Sequence, residues 1–482
     1  MKNAKRILSI LLSLCMVATL FSVVPMSASA ASGATGNCKW ALNGGNLVIS
    51  GNGVMDDYSS PLDVPWYSYR NSINSITINE GVTRIGVYAF MECRNFTSVT
   101  IPSSVTAINN YAFEDCTGLT KVNVTDLTKW CNIDFENYYA NPLNYAKNLY
   151  LNDKPITALA IPNGVKTIKT YAFYGCTSVK TVKFPKSVTA IGEDAFCYCA
   201  GLSAVTIPDN VTKIGDRAFY FCYGLKSVTV GNGVTAIGKY AFWDCYGLKN
   251  LTIGKGVTAI GDDAFYKCTA LTSVNIPDSV TSIDKEAFAR CEKLSKITLG
   301  KGVKKIGSYA FEGCSSLKSI EVGKGVEKIG NSAFGDCEKL TVKCYPGSYA
   351  EKYVKKNGVK YSLIHKHKYS KVAVKSTGKT VTKCKICGKI LKTPKVKITA
   401  KKKAFSIKLT KVSGQTGYKV KYRLKGKKKW TTKTYKTNKS ATKTVKKLKS
   451  KKKYQIAVCA YVTSGKKTVT SAWSKTITKK TK

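Results

Sequence analysis

Histidine is almost absent from this chain: two residues in 482, His365 and His367. Acidic residues stop at Glu351, after which come 43 Lys or Arg and no Asp or Glu. Past the first two dozen residues no apolar run is long enough to span a membrane. Each absence excludes something. Hydrolytic and nucleophilic sites draw on His or grouped carboxylates in a pocket. Here both His share one Lys-rich stretch and no paired acidic motif interrupts the rest, so no enzyme is expected. Before Glu351 the chain holds 35 basic and 28 acidic residues, so most of the formal charge of +50 sits in the last quarter. Such a segment is drawn to anionic polymers. The alternative is that its Lys residues only keep the protein soluble.

What is present begins with MKNAKRILSILLSLCMVATLFSVVPMSASAA. A basic start, an apolar run and the small residues Ala28-Ser29-Ala30 predict a secretory signal peptide over residues 1–30. An exported protein is therefore expected, secreted or held non-covalently at a cell surface, with no transmembrane segment in the mature chain. The ending SKTITKKTK carries neither a hydrophobic tail nor a wall-sorting motif. In that setting cell-envelope polyanions and acidic glycans are the expected partners of the basic tail, and nucleic acid is not.

Internal repetition decides the architecture. Cysteines at 176, 199, 222, 245, 268, 291, 314 and 337 are 23 apart, as are Cys93 and Cys116, and each lies three residues after a Phe. The unit reads A-F-x-x-C-x-x-L-x-x-V-x-I-P-x-x-V-x-x-I-G-x-x. Its L-x-x-V-x-I piece, as in Leu202 to Ile207, ends in the alternation of a short strand. Pro208 or its Gly equivalents close that strand. A second apolar pair such as Val211 and Ile214 precedes a turn at Gly215, and the Ala-Phe segment predicts a helical or 3₁₀ turn. One coil cannot bury its apolar side alone. Stacked coils place Phe on Phe, Cys on Cys and Leu on Leu, spaced ~4.8 Å apart.

The motif IGxxAFxxCxxLxxVxIP, running from Ile85 to Val342, resembles the BspA-like (Treponema-type) leucine-rich repeat family. Residues 46–73 look like that family's N-terminal cap and residues 344–364 like its closing one. The resemblance covers residues 37–364. It implies a mainly β solenoid of short parallel strands and helical or 3₁₀ turns, in a secreted or cell-surface protein discussed as an adhesin or host-binding factor. It names no ligand. One coil departs: Val124 to Ile161 spans 37 residues instead of 23. The extra length predicts a hairpin at Asn152-Asp153 and a helix-like run over Asp126–Phe135 closing the convex side. It is a candidate contact site or a plug at a step in the stack.

Several repeated positions are candidate sites. The in-phase Cys read as buried thiols, although neighbouring coils stay within disulfide reach. The outward residue of each strand gives the stripe Thr206, Thr229, Thr252, Asn275 and Thr298, either a concave ligand surface or ordinary exposed strand residues. Tyr198, Tyr220, Phe221, Tyr223, Trp243, Tyr246 and Tyr266 occupy variable positions beside Phe or Cys. The core positions are already filled, so several of these rings are expected at the surface, as a binding hot spot or as a cover on the turns. The phosphate-loop look of 233–239 is only the repeat, since Tyr240 stands where Ser or Thr is needed.

Residues 365–392 form a Lys-rich linker. There His365, His367, Cys384 and Cys387 have zinc-knuckle spacing and look like small H-x-H…C-x-x-C-G modules of bacterial surface proteins; a vestigial knuckle or a local disulfide is the alternative. From 393 to 482 the period-two runs Phe405–Leu409, Tyr418–Tyr422 and Tyr454–Tyr461 predict an antiparallel β-sandwich. Leu448…Tyr454 looks like a tyrosine corner, and with Trp473 near the end the stretch resembles a fibronectin type III domain, which implies a spacer or adhesive module. The leading expectation is an exported binding or adhesion protein whose repeats face a protein or glycan and whose tail aids retention on anionic polymers. The alternative is a surface scaffold, or a polyanion binder without a repeat ligand.

Overall fold

The 23-residue phase becomes three hydrogen-bonded ladders in the computed structural model, which describes residues 31–365, 369–373, 380–385, 390–412, 415–464 and 467–482. The expected signal peptide lies outside the described residues. The first ladder is the expected one: Ala204–Ile207 pairs in parallel with Ser227–Val230, which pairs with Asn250–Thr252. Val205 and Ile207 are buried while Thr206 is exposed, the period-two alternation of a half-buried strand. The second ladder runs through the V-x-x-I pair. Two-residue strands such as Lys213–Ile214, Ala236–Ile237 and Ala259–Ile260 form an eight-stranded parallel sheet from Thr167–Ile168 to Lys328–Ile329.

The third ladder is made of turns. Asp194, Phe196 and Tyr198 donate their N–H groups to Asp216, Ala218 and Tyr220 carbonyls of the next coil at 3.0, 2.9 and 2.8 Å. The residues that follow each of them, Ala195, Cys197 and Cys199, donate to carbonyls three positions back in their own coil. Alternation of this kind needs left-handed backbone at Asp194 and Tyr198, with φ of 52° and 59°. Arg217 and Phe221, Asp263 and Lys267, and Glu286 and Arg290 repeat it. Such conformations are rare for bulky residues. Their recurrence with Asp, Tyr, Arg, Phe, Lys and Glu means the stack imposes them. The expected helical turn is thus a chain of tight i→i+3 turns.

Inside, the rings stack. Phe196, Phe219, Phe242 and Phe265 are fully buried, with successive centroids 5.2, 5.1 and 5.2 Å apart and planes within 3°. From Cys199 to Cys337 the ladder cysteines donate S–H to the Phe carbonyl one coil earlier, as Cys222 to Phe196 at 3.2 Å, Cys245 to Phe219 at 3.3 Å and Cys268 to Phe242 at 3.4 Å, while Cys176 pairs with Ser178 Oγ. Cys therefore supplies both a small apolar body and a donor for a buried carbonyl. Among the described residues sixteen cysteines are free thiols, fifteen of them buried.

The stack has two plugs of the same design. At its start Ala31–Thr35, Cys38–Asn43 and Asn46–Gly51 form an antiparallel meander, and the last of these pairs in parallel with Ser75–Ile78. Trp66 then fills the place of a missing coil, its indole N–H donating to Ala89 O at 2.7 Å. In the long coil, Trp130 does the same for Ala172 O at 2.9 Å. In ordinary coils a Phe backbone N–H serves that Ala carbonyl, as Phe196 serves Ala218. The long coil ends the sheet that began at the N-terminal meander with the antiparallel pair Leu149–Leu151 and Lys154–Pro155, turning at Asn152-Asp153 as expected, and the sheet that holds Ala204–Ile207 starts at Ala158–Ala160. The helix-like run is corrected by the structure. Only Leu127–Trp130 is helical, capped by Asp126, while Asp134–Phe135 pairs as a strand with Ala107–Ile108.

Two compact units divide the chain: Met1–Val342 with Asn357–Lys360, and Lys343–Lys356 with Tyr361–Lys482. The second holds the eight-residue helix Tyr349–Lys356 and an antiparallel sandwich. One sheet is Val396–Lys401, Ala404–Leu409 and Ala441–Val445. The other centres on Gly417–Leu424 and Lys453–Ser464. Phe405, Ile407, Tyr418, Val420, Tyr454 and Ile456 are among its core residues. The Tyr454 hydroxyl accepts from Lys449 N–H at 2.9 Å, closing a corner of the expected kind. The hairpin Tyr369–Ala373 with Thr380–Cys384 also joins this unit, because Cys384 and Leu391 pack with Val412, Ala460 and Val462.

Candidate functional site

The turn ladder points alternate side chains outward, and in the middle coils those side chains are aromatic. Trp243 stacks on Tyr266 at 4.0 Å and 15°, and on Tyr220 at 6.0 Å. Tyr198 meets Phe221 at 5.0 Å, Phe221 meets Tyr223 at 5.3 Å, and Tyr223 stacks on Tyr246 at 5.0 Å. The seven rings singled out from sequence therefore form one connected band. Tyr246 is 51% exposed and Tyr198 36%; Tyr220, Phe221, Tyr223, Trp243 and Tyr266 are half-buried. The band covers the turns and also leaves ring surface open.

It is longer than the sequence suggested. Tyr174 reaches Tyr198 at 5.7 Å and Tyr138 at 5.3 Å, and Tyr138 lies against Tyr139. Tyr139 contacts Tyr111, which stacks on Tyr88 at 5.4 Å. Tyr88, Tyr111 and Tyr174 occupy repeat positions, so comparison of coils could have found them. Tyr138 and Tyr139 belong to the inserted stretch and have no phase; only folding brings them into line. The insertion, expected as a plug or a contact site, supplies Trp130 to the stack and these two rings to the surface. At the other end the equivalents of Tyr266 are Ala289, Glu312 and Gly335, and the band stops.

Acidic groups edge the rings. Asp194 is buried and pairs with the Arg217 guanidinium at 3.0 Å, yet burial outweighs that partner and raises its carboxyl. Burial, with Glu286 nearby, pushes the Asp263 carboxyl up to about 6. Burial also raises Asp244 against the pull of Lys267. The ladder thiols are different in kind. Burial pushes Cys93 and Cys291 up to about 12 and lifts Cys199, Cys222 and Cys268 well above the ordinary range. These five favour the protonated thiol, whereas contact with Cys314 lowers Cys337 at the end of the ladder.

The strand stripe is in register and open: Thr206, Thr229, Thr252, Asn275 and Thr298 are all exposed, with Thr206 opposite Thr229 and Asn275 opposite Thr298. Asn275 and Thr298 line an open pocket with Lys255 and Asp278. Of the knuckle residues, His365 Nε2 lies 3.4 Å from Cys384 Sγ, so two zinc-type donors meet. His367 and Cys387 lie outside the described residues. Cys384 is also a core residue against Leu391. Among the described residues no group of three His, Cys, Asp or Glu could hold a metal ion, and no helix is long and apolar enough to cross a membrane.

Comparison with known proteins bears on the coils. A leucine-rich repeat protein from Eubacterium ventriosum has 25% identity, with 59% of this chain and 95% of that one covered and a TM-score of 0.39. A leucine rich cell surface protein from Faecalibacterium prausnitzii has 26% identity, 68% and 97% coverage and a TM-score of 0.41. A leucine-rich repeat protein from Bacteroides ovatus has 20% identity, 67% and 100% coverage and a TM-score of 0.36. No curated protein matches. The BspA type leucine rich repeat region matches in six copies, over residues 65–141, 144–272 and 258–357. More than half of the chain is covered, and the chain belongs to the BspA-type leucine-rich repeat family.

Proposed function

We propose that this is a secreted or cell-surface binding protein whose coils present the aromatic edge to a protein or glycan partner. The reading rests on one observation: rings from Tyr88 to Tyr266 touch in an unbroken series across the turn face, with open area at Tyr138, Tyr198 and Tyr246. Rigid Tyr and Trp surfaces give large contact area for few frozen torsions. The threonine stripe is secondary, because its side chains are small and evenly spaced. The test is a binding screen of the full chain against arrayed glycans and extracellular proteins, repeated with Trp243→Ala and Tyr246→Ala. Hits should weaken about tenfold or more, the size of a hot-spot loss. Hits unchanged in both variants would overturn the reading.

A second reading concerns the other unit, where 43 Lys or Arg follow Glu351 with no Asp or Glu among them and Glu351 itself pairs with Lys355. That unit, a fibronectin type III-like module in this proposal, binds anionic envelope polymers and retains the protein at the surface. Its affinity should fall steeply with salt, whereas binding at the aromatic edge should not.

A further inference from the structure

The strand Gly417–Leu424 lies mid-sheet, between Thr431–Lys436 and Lys453–Ser464. Tyr418 and Val420 point into the core and are fully buried, so Lys419, Lys421 and Arg423 share the outer face. These three cations are held by rings. Lys421 Nζ lies 4.8 Å from the Trp430 centroid and 4.5 Å from that of Trp473. Arg423 Cζ stands 4.5 Å over Trp430, and its Nε donates to Gln455 Oε1 at 2.8 Å. Lys419 Nζ is 5.8 Å from the Tyr461 centroid. An ordinary surface lysine must be ordered when a ligand arrives. Here attraction between cation and ring has ordered the side chains beforehand. No Asp or Glu follows Glu351 to neutralise them.

Resting on the second reading above, we infer that this face is a track for an extended polyol-phosphate chain, a polymer of phosphodiesters joined by short polyols. Alternate residues of a strand recur every ~6.8 Å, which sets three fixed positive charges in a row at a spacing suited to successive phosphodiesters. Lys421 and Arg423 stand over the indoles, so the face offers charge rather than bare ring. A sugar or base that binds by stacking is less well served than a chain that carries only charge. Lys421 is the centre of the track because two indoles clamp it.

The experiment titrates the full chain with purified poly(glycerol phosphate), with a thymidine oligonucleotide of equal charge and with polygalacturonate, over a salt series. The chain should bind poly(glycerol phosphate) most tightly. Lys421→Gln should weaken that binding about tenfold and lower the slope of log K against log salt by about one. Trp473→Leu keeps the charge but removes one jaw of the clamp, and should weaken binding at least threefold. Lys402→Gln, an equal loss of charge at another exposed position, should change it less than twofold. The melting temperature of each variant's sandwich is measured alongside, and Lys421→Gln stands alone if Trp473→Leu unfolds. Equal effects of Lys421→Gln and Lys402→Gln, or tighter binding of the oligonucleotide or polygalacturonate, would overturn the track while leaving polyanion binding by the unit intact. No binding of any polymer at low salt would overturn both.

Discussion

Phe242 in the coils and Tyr418 in the sandwich are both fully buried rings, and they are held in opposite ways. Phe242 sits between Phe219 and Phe265, copies of itself one coil away on either side. Tyr418 belongs to a single core, and its hydroxyl lies within bonding reach of the Thr410 and Lys439 carbonyls at 2.9 and 3.1 Å. Burial in the coils is a sum of nearly identical neighbour terms. Burial in the sandwich is one cooperative whole. The surfaces differ accordingly. Coils carry interspersed acids and bases with ion pairs such as Arg217–Asp194 and Lys305–Asp284, whereas the sandwich carries bases without Asp or Glu. The repeat constrains every inward position and leaves the turn face free to vary, and the aromatic band lies there. The sandwich constrains its two inner faces and displays charge on the others. The proposed functions follow that division, with contact by rings assigned to one region and attraction by charge to the other.

That contrast can be broken by removing what only the coils need. Trp130→Phe deletes the indole N–H that serves Ala172 O and leaves a buried carbonyl short of its main partner. The expected cost is about 1–3 kcal/mol. Calorimetry should register it as a lowered transition for the coils with the sandwich transition unmoved. A shift in both transitions would mean the two units unfold together.

A smaller effect sharpens the electrostatic side. The Asp263 carboxyl is pushed by burial from 3.8 to about 6. Its folded value exceeds its unfolded one, so the native state holds the proton more tightly between those limits. The coils should gain stability as pH falls from about 6 toward 4 and lack that gain above 6. Asp263→Asn should remove this dependence and raise the melting temperature at neutral pH by about 2 °C. The substitution suits the site, because Asn tolerates the left-handed φ of 57° there. A variant whose melting temperature keeps the wild-type pH dependence would show that another group titrates.

Much of this was legible in the sequence, for physical reasons. The coils had to match, so the phase of Phe, Cys and Leu announced the stack. The sandwich strands announced themselves by alternation at Phe405–Leu409 and Tyr418–Tyr422. What escaped notice had no pattern to reveal it. Strands as short as Lys213–Ile214 are too brief to alternate. The turn ladder accepts Asp, Tyr, Arg or Lys at its left-handed positions, so composition is silent about it. Trp66 and Trp130 look like unrelated tryptophans until each is seen feeding an Ala carbonyl. Tyr138 and Tyr139 enter the band through a segment outside the repeat. Cys384 read as a metal ligand because of its neighbours in sequence, while its packing against Leu391 depends on a hairpin that few apolar residues signal.

The claim beneath this account is that adjacent residues of a coil divide cleanly between core and surface, and Phe242 and Trp243 test it side by side. Alanine substitutions of each in the full chain, followed by calorimetry of the coil transition, make the comparison. Phe242→Ala should cost about 3–5 kcal/mol, the loss of a fully buried ring. Trp243→Ala should cost about 1 kcal/mol, the loss of an aromatic pair at a half-exposed site. Equal losses, or a larger one for Trp243→Ala, would contradict the account.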